Sequence, residues 1–168
     1  MERKKVDLIT QRRIEADIAS ALIRKFASEV GSEKAFEIAS ETIRETAADS
    51  GRQIFTKLSS ATLAELAHVV RTIWAQDNVL EIEFLKETAD ELFFNVRRCG
   101  YAEMYKKSAL SDFGYCLSCN RDKSFVEGFN SNIVMKRTRT IMEGASFCDF
   151  RFYQKDRGKS EKGAGLHS

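Results

Sequence analysis

The sequence predicts an α+β domain: N-terminal helices packed on an antiparallel sheet built from two hairpins separated by helix. Three observations carry that expectation. Apolar residues recur at helical spacing from Ile14 to Trp74, two pairs of β-rich runs follow, and a helical stretch lies between the pairs.

Ile14, Ile18, Leu22, Phe26 and Val30 recur every four residues as one apolar stripe on a first helix, which Gly31 is placed to end. Ser32 can cap a second helix, in which Phe36, Ala39, Ile43 and Ala47 follow at helical spacing up to Ser50-Gly51. A shorter helical piece is expected over residues 53–58. Thr62 and Glu65 have the spacing of a capping box ahead of Leu66, Val69, Val70, Ile73 and Trp74.

The period then changes. Val79 to Leu85 and Leu92 to Cys99 read as strands about a polar turn from Glu87 to Asp90. "YAEMYKKS" reads as a short helix, and Ser111 can cap another that runs to about Gly128. The chain returns to extended structure in "NIVMKRTRTIM", turns over Glu143 to Ser146 and ends in "FCDFRFYQ". Residues 156–168, polar and glycine-rich, are expected to be a disordered tail, leaving residues 1–155 as a single domain.

Composition narrows the partners. Lys and Arg number 27 against 25 Asp and Glu, and they are scattered, so nucleic acid is not the implied partner. No apolar run is long enough for a signal peptide or a membrane span, so a soluble, cytoplasmic protein is expected. Cys99, Cys116, Cys119 and Cys148 are then expected as reduced thiols. Cys116-Leu-Ser-Cys119 has a spacing shared by redox and zinc motifs, but neither His68 nor His167 stands at a usual ligand distance from it. His68 reads as a structural or surface histidine, and His167 has no assigned role. The absence of proline excludes cis-proline turns and proline-rich ligand segments.

Candidate chemistry gathers in the second half. By strand alternation Cys148, Phe150 and Phe152 share one face, and Phe147, Asp149, Arg151 and Tyr153 share the other. Cys148 reads either as a small buried hydrophobe or as a site thiol, and Asp149 either as the partner of a neighbouring arginine or as an acid-base group. On the preceding helix Cys119 and Asp122 are three apart, and Tyr115 and Cys119 four apart, so each pair should share a face. "NVRRC" and "KRTRT" supply arginines suited to gripping a carboxylate through two hydrogen bonds.

"RRCGYAEMYKK", "FGYCLSCNRDKSFVEGFN" and "KRTRTIMEGASFCDFRF" together resemble the L-2-amino-thiazoline-4-carboxylic acid hydrolase family, over roughly residues 97 to 153. The resemblance implies hydrolytic opening of a cyclic amidine in a thiazoline to give N-carbamoyl-cysteine. Such a reaction needs a base near the water, a donor near the leaving atoms and a cation for the substrate carboxylate. Onto those needs map Cys119 as nucleophile or metal ligand, Asp122 and Asp149 as acid and base, and Arg98 or Arg139 as the carboxylate anchor, with Tyr101 beside the substrate. The family pattern carries histidine just before the Cys-Asp-Phe-Arg segment, where this chain has Phe147.

The same blocks resemble 4-vinyl-reductase-like small-molecule binding domains. That resemblance implies a non-catalytic ligand-binding module, with a thiophilic metal such as zinc held by Cys119 and Cys148 with Cys99 or Cys116. A third role, compatible with either, is homo-oligomerisation through the N-terminal stripe.

Overall fold

The computed structural model describes residues 6–155; the expected disordered tail and His167 lie outside them. Helix α1 (Leu8–Val30) and helix α2 (Ser32–Phe55) double back on one another through Gly31. Gly31 has φ +89°, a conformation that side-chain-bearing residues rarely adopt. Asp7 caps α1 by accepting from the Thr10 amide, whereas Ser32, the expected cap of α2, is already its first helical residue. Of the short helix expected over residues 53–58, the first half is the continuation of α2, which Gly51 does not break, and the rest is turn.

Helix α3 (Leu63–Val69) starts at the predicted cap, where Thr62 Oγ1 accepts from the Glu65 amide, and widens into a π-helical turn over Val70–Trp74. Strands β1 (Leu80–Glu87) and β2 (Glu91–Cys99) form the first hairpin, followed by α4 (Gly100–Lys107). The single helix expected from Ser111 to Gly128 is instead three pieces: α5 (Ser111–Gly114), a π-helical turn Tyr115–Cys119, and α6 (Arg121–Phe129). Across this wide turn Tyr115 is 43% exposed while Cys119 is half-buried. Strand β3 is only Ile133–Lys136, and β4 is Cys148–Gln154 after a turn with Gly144 at φ +96°.

The four strands are antiparallel in the order β1-β2-β4-β3, which places the chain's last strand next to its second. The predicted alternation of β4 holds: Cys148, Phe150 and Phe152 are buried and the intervening residues are not. Together with Leu92, Phe94 and Val96 they pack against Leu66, Val70, Val126 and Phe129 of the helical layer. A second apolar cluster joins Ala16 and Ile23 of α1 to Ala35, Tyr105, Phe113 and Leu117. The helical layer thus lies on one face of the sheet, as the α+β expectation required.

Helices α2 and α6 meet at two glycines. A Cβ on Gly51 would stand 2.1 Å from the Phe125 carbonyl oxygen, and one on Gly128 would stand 2.0 Å from that of Ala48. No rotamer change relieves a clash with backbone, so Gly128→Ala must push the helices apart and should lower the unfolding free energy by about 3 kcal/mol. Gly31→Ala, which meets no atom within 4 Å and bears only the positive-φ strain, should cost about 1 kcal/mol. Urea denaturation of both variants checks the order; equal losses would show that the α2–α6 contact can give way.

Candidate functional site

Between the helical layer and the inner face of the sheet lies a cavity of about 260 Å³. Its apolar wall includes Ile54 of α2, Ile73 and Trp74 of the first π-helical turn, Phe125 of α6, Val96 of β2 and Phe150 of β4. Trp74 meets Phe125 edge-on at 5.5 Å between ring centroids and Phe150 at 6.2 Å. Such a wall suits a flat, apolar ring. Both π-helical turns contribute: an extra residue per turn carries Trp74 in from one side and Cys119 from another.

The polar groups gather on α6 and the segment after β3. Arg137 Nη1 donates to Asp122 Oδ2 at 2.5 Å, and Arg137 Nη2 donates to the Cys119 carbonyl oxygen at 3.1 Å. The Arg137 side chain is only 8% exposed and its guanidinium lies 5.1 Å from the centre of the Phe150 ring. Burial raises the Asp122 carboxyl above its ordinary value, opposed by the charge and hydrogen bond of Arg137. Burial thus favours its neutral form and the ion pair its ionised form.

Arg121 is the second cation of the cavity. Among the described residues its guanidinium makes no ion pair and no hydrogen bond, whereas Arg12, which also lines the cavity, pairs with Glu15. Burial, and then the like charge of Arg12, pull Arg121 below the ordinary guanidinium value. It stays protonated at pH 7 and offers its donors to an anion.

Three thiols face this cavity. Burial raises all of them: Cys99 to about 11, Cys148 in the same direction, and Cys119 furthest, where the Asp122 charge adds to burial. Neutral thiols are poor nucleophiles, so the expectation of Cys119 as attacking group meets an environment that keeps it protonated. Cys116 turns away to Ser40, 3.2 Å from its Oγ, so the Cys116–Cys119 spacing does not make a pair of facing thiols. Among the described residues no three His, Cys, Asp or Glu side chains gather as a metal-ligand set, and the donors present do not fit the thiolate zinc centre considered above. His68 is exposed on α3.

Tyr101 lines the cavity with Cys119 and Asp122; burial raises its phenol to about 12. Asp149, Arg98 and Arg139 do not line it. Arg98 pairs with Glu103 at 2.6 Å beside a separate surface groove. Among the described residues Asp149 pairs with no arginine side chain: its Oδ1 accepts from the amides of Thr138 and Arg139, and its Oδ2 accepts from the Thr138 hydroxyl. Phe147 lies on that outer side too, with Arg97 and Arg139 at 5.0 and 5.1 Å from its ring centre. Phe147, at the position where the resemblance led to an expectation of histidine, therefore lies outside the cavity.

Sequence reasoning missed Arg12, Arg121 and Arg137. Arg12 could have been found from the small and polar residues Ala16 and Ser20, which continue its face at four-residue spacing and prove buried. Arg137 stands in the same "KRTRT" run as Arg139, but strand alternation gives no choice between them because β3 ends at Lys136.

Helices and sheet thus enclose a mostly apolar cavity whose wall carries an ion pair and a guanidinium with no partner among the described residues. The family model for L-2-amino-thiazoline-4-carboxylic acid hydrolase matches residues 11–152, and the chain belongs to that family. Among curated proteins none matches. Two solved structures similar to the chain are the phenol-responsive sensory domain of the transcription activator PoxR with phenol and the Fe(II) unliganded H-NOX protein from K. algicida. The first is 12% identical, covers 83% of this chain and 73% of its own, and has a TM-score of 0.49. The second is 13% identical with the same coverages and a TM-score of 0.42. Likeness at that level says nothing about ligand or reaction.

The bonds to Asp149 hold the segment between β3 and β4. The Thr138 and Arg139 bonds overcome partial burial and hold its carboxyl below the ordinary 3.8, so its contribution is complete above that value and disappears as pH falls through the folded value. Asp149→Ala should therefore lose about 1–2 kcal/mol at pH 7, and the difference from the native chain should shrink toward pH 2. Denaturation at both pH values checks this; a difference independent of pH would remove the charged clamp.

Proposed function

We propose that this chain is a hydrolase that opens a small cyclic amidine or thiazoline bearing a carboxylate, bound in the cavity between α6 and the sheet. The observation that carries the reading is the juxtaposition of Arg121, a guanidinium with no partner among the described residues, and the half-buried carboxyl of Asp122 on one wall of an otherwise apolar cavity. Membership of the hydrolase family supports it.

In this reading the substrate carboxylate docks on Arg121, with Arg12 adding positive potential, and the ring lies against Trp74, Phe125 and Phe150. Asp122 takes a proton from water as the water oxygen bonds to the ring carbon between nitrogen and sulfur, and the C=N electron pair moves to the ring nitrogen, which receives that proton from Asp122. Asp122 then takes the hydroxyl proton of the tetrahedral carbon as the carbonyl re-forms and the C–S bond breaks, and passes it to the departing sulfur. Arg137 holds Asp122 in place, and Cys119 and Tyr101, both protonated, are hydrogen-bond donors to the reacting atoms. Arg121 takes the anchoring role expected of Arg98 or Arg139, and Asp122 the acid-base role that was divided with Asp149.

One observation favours a second reading. The apolar wall and the three protonated thiols also suit a binding module that holds a flat ligand without turning it over.

Incubation with 2-amino-thiazoline-4-carboxylate, followed by mass spectrometry, should show ring opening. Asp122→Asn should lower kcat by about 100-fold or more. Arg121→Met should raise KM by roughly 10- to 100-fold, the loss of one charged hydrogen-bond partner, while Arg98→Gln changes neither constant by more than about twofold. Calorimetric binding without turnover would favour the module, and neither binding nor turnover would reject both readings of the cavity for this ligand.

A further inference from the structure

The stripe on α1 is not core. Ile14, Ile18, Leu22, Phe26 and Val30 are between 52 and 60% exposed, while the buried positions of the same helix are Ala16, Ser20 and Ile23. Five large apolar side chains in one unbroken row are more than the scattered exposed residues of an ordinary surface. Residues 1–5 and 156–168 contain Met1 and Leu166 as their only large apolar side chains.

We infer that this row is a homodimer interface in which α1 of one copy crosses α1 of a second copy at Leu22, about a two-fold axis. Positions 14, 18, 22, 26 and 30 are symmetric about 22, so the axis sets Leu22 on Leu22, Ile18 beside Phe26 and Ile14 toward Val30. A row at four-residue spacing is an i±4n ridge, and two such ridges interdigitate at a crossing angle near −50°. The interface is self-complementary, as a two-fold contact must be.

The area of the row suits a second copy. With about 100 Å² exposed on each of five side chains, two copies bury roughly 1,000 Å² between them, the lower bound for a specific interface. Positions 15 and 29 are also symmetric about 22, so Glu15 of each copy faces Glu29 of the other, and each acid is already met on its own helix, Glu15 by Arg12 and Glu29 by Lys25 at 2.6 Å. A helix lying on an anionic membrane carries lysine and arginine along its polar edge, without acids interrupting it. The proposal is independent of the reaction assigned to the cavity.

Sedimentation equilibrium across a concentration series decides it. The native chain should sediment at twice 19.1 kDa in the micromolar range, and Leu22→Glu, at an exposed position and with unchanged circular dichroism, should sediment at 19.1 kDa with dissociation at least about 100-fold easier. Leu22→Cys should oxidise to a covalent dimer that the equally exposed Leu85→Cys does not form. A native chain monomeric up to about 100 μM, a dimer unaffected by Leu22→Glu, or equal cross-linking from both cysteine variants would each overturn the interface. So would a monomer that binds phosphatidylglycerol vesicles through the same row.

Discussion

The contact between α2 and α6 is the constraint on which the rest of the structure depends. With glycine on both sides, at Gly51 and Gly128, each helix sets its backbone against that of the other, closer than any side chain would allow. That approach fixes the height of α6 above the sheet. It thereby fixes where Asp122 and Phe125 meet β4 and how much room is left beside them. Close packing at one end of α6 and an open volume at the other are two results of the same placement, because a short rigid helix cannot satisfy one without determining the other.

The cavity wall combines two physical regimes. Most of it is hydrocarbon and aromatic surface, which lowers the local dielectric and strengthens every charge interaction within it. Into that medium α6 brings Asp122, and the chain beyond β3 brings Arg137 to meet it. Two charges taken from water gain no net stability unless their geometry is good, and a pair kept in such a place is better understood as serving a site than as holding the fold together. Arg121, adjacent in sequence to Asp122, has the opposite condition: its charge is partly desolvated with no internal partner among the described residues.

Much of the fold was legible because periodicity and capping are local. Thr62 with Glu65, the apolar alternation of β4 and the change from helical to strand period at Val79 could each be read without knowing what they pack against. What the sequence hid was non-local. Gly51 reads as a helix end because its use, contact with Phe125 and Gly128, lies far along the chain. The π-helical turn at Tyr115–Cys119 has no distinctive composition, yet it decides which side chains of that stretch enter the cavity. Cys119, Asp122 and Tyr101, singled out from residue chemistry, line the cavity, while Asp149, singled out for the same reason, does not. A carboxylate holding backbone amides and one available for proton transfer look alike until their surroundings are known.

The elevated thiols have a consequence for the protein's life in an oxidising environment. Peroxides and alkylating electrophiles react with thiolates, and at neutral pH the ionised fraction at Cys99, with its value near 11, is on the order of one in ten thousand. Three sulfur atoms around one cavity would ordinarily mark a place where damage begins. Here the hydrocarbon wall that keeps them uncharged makes them chemically quiet, so the cavity can present soft, polarisable surface to a ligand and still resist becoming sulfenic acid.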